Sequence, residues 1–183
     1  MAFLRSTQET DVRPLADGGN VMLRPPQAAD YAAWAALRAA SRDHLVPWEP
    51  TWSPDELSRT AFKQRLRYYV QEARDGTGYA FFIMRASDGV LLGGLSLSNV
   101  RRGVTQSASI GYWIGAPYAR QGYMTAGVSA VLPFVFEFLG LHRLEAACLP
   151  NNAGSIKVLE RNGFEREGIA RSYLKIKGVW QDH

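Results

Sequence analysis

Residues 105–149 carry the pattern that most narrows the fold: "TQSASIGYWIG", then "APYARQGYMTAG", then "VSAVLPFVFEFLG", then "LHRLEAACL". The first and last segments read as strands, and a loop leads into a long apolar helix between them. That helix is expected from Tyr123 to Leu139, with Gly140 ending it. A strand joined to another strand through a helix has to cross over one face of a sheet. The two strands are then parallel, and the crossover is right-handed.

The flanking sequence adds antiparallel pieces. "GYAFFIMRA", "VLLGGLSLSNV" and the first segment above read as consecutive strands, with Asp88-Gly89 and Arg102-Gly103 as the hairpin turns. "NVMLRPP" is a strand stopped by two prolines, and a helix is expected from about Ala28. A second helix is expected to start at "SPDE", with Ser53 as N-cap, Pro54 at the first helical position and Glu56 completing a capping box. It runs to about Asp75-Gly76. "NAGSIKVLERNG" reads as a helix stopped by Gly163, and "FEREGIARSYLKI" as the last strand. The order β-α-α-β-β-β-α-β-α-β predicts an α+β fold with a mixed sheet.

Several function classes lose their signals. A chain of 183 residues, 46% hydrophobic, suffices for one domain. We divide it into an N-terminal extension over residues 1–19 and a single domain over 20–183. A net charge of +4 is too weak to predict nucleic-acid binding. The N-terminus lacks the apolar core of a signal peptide, and the most apolar stretch is broken by Pro133 and Glu137, short of the ~20 residues that cross a bilayer. With Cys148 as the lone cysteine, an intrachain disulfide is impossible, and a reducing, cytoplasmic setting is the simplest expectation. No phosphate loop of the G-x-x-x-x-G-K-[ST] type and no G-x-G-x-x-G occurs. "GLSLS" lacks the closing glycine of a nucleophile elbow, and His44, His142 and Cys148 have no metal-ligand spacing, so no metal is expected.

The loop before the apolar helix is the candidate binding element. A helix N-terminus presents unpaired N–H groups and partial positive charge, which suits an anion, and Gly122 lets the backbone come close. No acidic residue lies between Asp88 and Glu137, whereas Arg101, Arg102 and Arg120 do. An ordinary strand-to-helix turn fits these local features about equally well.

In context, "IGYWIGAPYARQGYMTAG" followed by "LGLHRLEAACLPNNAGSIKVLERNGFEREG" resembles the GCN5-related N-acetyltransferases (GNAT superfamily), and within it the RimJ/RimL-type ribosomal-protein alanine N-acetyltransferases. "VPWEP", "SNVRRG" and "YLKIKGVWQDH" are similar to that branch as well. The resemblance implies a mixed, mostly antiparallel central sheet flanked by helices, with a splayed parallel pair around acetyl-CoA. The family's pyrophosphate pattern, [QR]-x-x-G-x-[GA], falls on residues 119–124. Gly122 is kept, while Ala119 and Met124 depart from the pattern. Arg120, Gln121, Gly122, Tyr123, Met124 and Thr125 are thereby implied to hold coenzyme pyrophosphate. Tyr112, Trp113 and Ile114 are implied to offer backbone groups to pantetheine, with Gly111 marking a bulge that splays the strand. Asn152 is implied to contact pantetheine and Lys157 to approach the adenosine phosphates, although Asn152 also reads as an N-cap. A further strand beyond His183 is implied too, so the final strand reads as truncated.

Acetyl transfer needs a neutral amine and a stabilised thiolate. Ser155 matches the family position that hydrogen-bonds the leaving sulfur. Many relatives carry a glutamate on the strand before the pyrophosphate loop, where this chain has Ser109. Glu49 is therefore the first candidate for meeting the amine, with Glu145 second. Tyr31, Trp48, Glu49 and Trp52 are candidates for the acceptor cleft. The expected activity is direct transfer from acetyl-CoA to a primary amine, foremost the N-terminal α-amine of a ribosomal protein. A small amine as acceptor, or a non-catalytic acetyl-CoA sensor, stays open. The partners expected are acetyl-CoA and that amine, without nucleic acid or membrane, in a monomer or homodimer.

Overall fold

In the computed structural model, residues 15–16 and 19–183 are described, so most of the expected N-terminal extension lies outside the described residues. A six-stranded sheet runs in chain order: β1 (Leu15–Ala16), β2 (Val21–Arg24), β3 (Tyr79–Arg85), β4 (Leu91–Arg101), β5 (Ser107–Ile114) and β6 (Arg143–Ala146). Every neighbouring pair is antiparallel except β5 and β6, which are parallel. The crossover between these two is α4 (Tyr123–Pro133), as the strand–helix–strand reading requires.

One helical layer covers each face. Val128, Val131 and Val135, three to four residues apart, are wholly buried against β2–β5. A Cβ on Gly127 would lie 2.9 Å from Ile83 Cδ1, so the missing side chain sets how closely α4 approaches the sheet. On the other face, α1 (Tyr31–Ala40) and α3 (Arg59–Asp75), separated by the short α2 (Arg42–Leu45), enclose Trp34 and Phe62, whose rings are 4.8 Å apart, together with Phe82, Met84 and Leu91.

Three boundaries depart from the sequence reading. The expected continuous helix to Leu139 is α-helical only as far as Pro133, and residues Phe134–Phe138 form a wider π-type turn in which Leu139 N donates to Phe134 O at 2.9 Å. Pro133 has no N–H for the helical ladder, and the turn widens after it. The third helix begins at Arg59 rather than near Ser53: its N-cap is Ser58, whose Oγ accepts from Ala61 N at 3.1 Å. Glu56 therefore completes no capping box and pairs with Arg65 at 2.5 Å. Tyr31 Oη donates to the Leu57 carbonyl at 3.1 Å and holds the preceding turn away from helical form.

The third difference concerns the C-terminal strand. Residues 164–170 form no strand, and Glu167 meets β6 through its side chain, with Arg143 Nη1 donating to Glu167 Oε1 at 2.7 Å. Only β7 (Leu174–Ile176) is extended. It pairs with β8 (Val179–Gln181) as a separate two-stranded hairpin around Lys177 (φ 48°) and Gly178 (φ 80°).

Candidate active site

Pairing between β5 and β6 stops at Ile110↔Ala146, and the strands diverge from there. Gly111 stands at the divergence, yet it is no bulge: it pairs in register with Ser96 of β4. The register shift on that side lies between Ser98 and Arg101, around Asn99 (φ 52°). The opening leads into a cavity of about 950 Å³, walled by β5, the N-termini of α4 and α5 (Ala153–Arg161), residues 44–50 and β7.

The loop before α4 curls tightly. Arg120 (φ 59°) and Gly122 (φ 85°) both have left-handed backbone, an expensive conformation for the arginine. The first helical bond is Ala126 N to Gly122 O at 3.0 Å, so the N–H groups of Tyr123, Met124 and Thr125 precede the ladder. A Cβ built on Gly122 meets nothing within 4 Å. Free donors, a helix dipole and open space beside the backbone together fit a phosphate. Arg120, Lys157 and Arg161 line the same cavity. The sequence reading missed Arg161, one helical turn beyond Lys157 and on the same face. Arg101 and Arg102 do not line the cavity, and Arg102 donates to the Leu139 carbonyl at 3.2 Å.

On the opposite wall, Asn152 caps α5, its Oδ1 accepting from Ser155 N at 3.0 Å. That cap turns Ser155 toward β5, where its Oγ lies 2.8 Å from Tyr112 Oη. Burial pushes the Tyr112 hydroxyl up to about 12, against the opposing pull of the Ser155 hydrogen bond, with Cys148 adding a smaller upward push. Tyr112 is therefore fully protonated at neutral pH. Its side chain was not singled out from sequence, because strand alternation says only that it points to one face. The partner is 43 residues away.

Of the expected coenzyme residues, Gln121 does not line the cavity, and its Nε2 donates to the Pro117 carbonyl at 2.7 Å. Tyr112, Trp113, Ile114, Arg120, Gly122, Tyr123, Met124, Thr125, Asn152, Ser155 and Lys157 all do. Trp48 and Glu49 line it as well, but Tyr31 and Trp52 do not. Tyr31 packs on Phe62 at 5.7 Å, and Trp52 donates from Nε1 to Glu49 Oε2 at 2.7 Å. Glu145 lies outside the cavity, half-exposed and paired with Arg143 at 2.7 Å.

Glu49 already has a cation of its own. Arg38, buried in α1, reaches both of its oxygens, at 3.1 and 2.6 Å, in a two-pronged pair. The guanidinium is sandwiched between Trp52 (4.5 Å) and Trp113 (5.1 Å), and its Nε has no partner. Ser41, at the end of the same helix, accepts from Ala116 N at 2.9 Å, and a Cβ on Gly115 would lie 2.5 Å from Leu37 Cδ1. The end of α1 is thus fixed to Trp113 and to the turn after β5, and Glu49 is tied to that helix through Arg38. Among the described residues, no cluster of His, Cys, Asp or Glu is arranged to hold a metal, and no helix is long and apolar enough to cross a membrane.

The Acetyltransferase (GNAT) domain family matches residues 20–165. The chain is 36% identical over 166 residues to "Probable N-acetyltransferase YjcK" of Bacillus subtilis, covering 91% of this chain and 92% of that one. It is 31% identical to the [Ribosomal protein uS5]-alanine N-acetyltransferase of Escherichia coli, over 84% of this chain and 80% of that one. The structure of Mycobacterium smegmatis RimJ in complex with CoA-disulfide superposes with a TM-score of 0.85 at 37% identity, covering 93% of this chain and 83% of the other.

Proposed function

The chain belongs to the GNAT acetyltransferase family, as an acetyl-CoA-dependent N-acetyltransferase of the RimJ/RimL-type branch, and on that premise we propose that its acceptor is the N-terminal α-amine of a protein, a ribosomal protein first among them. One observation carries the choice of amine: Glu49 is the only side-chain carboxylate lining the cavity among the described residues, and Arg38 and Trp52 hold it. Both oxygens of that carboxylate already accept hydrogen bonds from Arg38 or Trp52, which leaves little capacity to take up an incoming proton. An α-amine, with a reference pKa of about 7.7–8.0, needs only about 1 kcal/mol to be neutral at pH 7, whereas lysine, near 10.4, needs about 4–5 kcal/mol. A site with little base to offer suits the first. Likeness to a uS5-alanine N-acetyltransferase along most of both chains supports the same choice.

Each element then has a task. The N–H groups at the start of α4, with Arg120, Lys157 and Arg161, bind and orient the coenzyme phosphates. Bound acetyl-CoA supplies the activated acyl group. As the amine nitrogen bonds to the acetyl carbon and the carbon–sulfur bond breaks, the amine loses a proton to water and the sulfur gains one. Ser155 Oγ, backed by the protonated Tyr112 hydroxyl, donates toward the sulfur. Glu49 positions residues 44–50, and Trp48 covers the acceptor side.

The test is thiol release from acetyl-CoA with a peptide beginning with alanine, beside the same peptide with its N-terminus blocked. Release is expected only with the free α-amine. Release with neither peptide, in a protein that acetylates small amines, would reverse the assignment.

A further inference from the structure

The charge distribution around the acceptor side of the cavity goes beyond the choice of an α-amine. Two segments far apart in sequence form that wall: residues 44–50 and β7. They are tied by Lys177 N donating to the Glu49 carbonyl at 3.3 Å. Lys175, in the middle of β7, is exposed and lines the cavity, and no acidic partner is found for it among the described residues. Glu49, on the same wall, is already neutralised by Arg38. Every other fully charged group lining the cavity is basic. With Arg120, Lys157 and Arg161 assigned to the coenzyme phosphates, an incoming chain meets Lys175 as the uncompensated charge on this wall and no free side-chain carboxylate.

We infer that this wall selects the acceptor by charge: the residue after the α-amine is acidic or neutral rather than Lys or Arg, and polycationic amines are disfavoured. The inference rests on the α-amine reading above. One unit charge within about 8 Å of another, at a partly screened site, shifts an equilibrium by roughly fivefold, and salt weakens the effect.

The experiment compares kcat/KM for three peptides that differ only at the second residue, Ala-Glu, Ala-Gln and Ala-Lys, with spermidine as a fourth acceptor. It is run at low and high salt on the full chain, K175E, K175Q and K63E. Lys63 faces solvent on α3, so K63E changes net charge equally without touching the cavity. The expected order is Glu, then Gln, then Lys, with roughly fivefold steps that shrink in high salt. K175Q should flatten the order and K175E reverse it, while K63E should preserve it. Equal rates on all three peptides, or an order unmoved in both Lys175 variants, would overturn the charge inference alone. Acetylation of spermidine but of no peptide would overturn it together with the α-amine reading.

Discussion

Removing the Arg38–Glu49 pair one side at a time tests both how the acceptor wall is held and what Glu49 does. The Arg38 side chain is 6% exposed and that of Glu49 21%. Stripping one partner from a fully buried pair costs about 3–5 kcal/mol, because the other charge is stranded. Partial hydration of Glu49 lowers that, so Glu49→Ala should cost about 2–3 kcal/mol. In that variant Arg38 keeps only the faces of Trp52 and Trp113. Arg38→Met should cost about 2 kcal/mol, since Glu49 retains the Trp52 bond and some water. The double variant, with neither charge left, should be no worse than the milder single, a coupling of about 2 kcal/mol. Urea unfolding followed by tryptophan fluorescence gives all four stabilities. Additive losses, with a coupling under about 0.5 kcal/mol, would refute the reasoning. A kinetic arm separates anchor from base: Glu49→Gln should lower kcat only a few-fold while raising KM for the peptide. A fall near 1,000-fold in kcat in a stably folded Glu49→Gln protein would make Glu49 the base after all.

Ser155→Ala should lower kcat by about 100-fold with little change in KM for acetyl-CoA, and Tyr112→Phe by about 10-fold, in steady-state assays. Because the fold favours the neutral form of Tyr112, its contribution to stability is intact below the unfolded value near pH 10 and lost as pH rises through about 12. Wild type should therefore lose up to about 3 kcal/mol more than Tyr112→Phe across that window, read from urea midpoints at stepped pH. Gly122→Ala should cost about 1–2 kcal/mol for the left-handed backbone and raise KM for acetyl-CoA roughly tenfold, leaving KM for the peptide unchanged.

Signals that were local were legible. Asn152 caps its helix, Gly163 closes it with φ 79°, and the parallel order of β5 and β6 follows from the length of their connection. The start of α3 was decided by tertiary contact: Ser53 and Ser58 both suit an N-cap, and the Tyr31 bond to the Leu57 carbonyl favours the second. The site divides the same way. The loop before α4, the proposed phosphate site, is one continuous segment that stands out by its helix start and its glycine. Tyr112–Ser155 and Arg38–Glu49 join residues 43 and 11 positions apart, respectively, and no periodicity links them. Strand propensity misjudged residues 164–170 because no strand partners most of them: Glu167 pairs through its side chain with Arg143, and only Ala170 exchanges backbone bonds, with His183.

The early end of the β5–β6 ladder has a consequence for how the protein and its coenzyme depend on each other. Past Ile110 and Ala146, the edges of β5 and β6 that face each other have no neighbouring strand to exchange hydrogen bonds with. On the proposed reading, the pantetheine arm fills that gap and completes the sheet. Whatever occupies the gap then adds its binding free energy to folding, in proportion to the logarithm of its concentration. Spent coenzyme fills it as well as fresh. The same contacts that firm up this end of the sheet then also hold the product, so a tighter grip on coenzyme stabilises the fold and slows product release together.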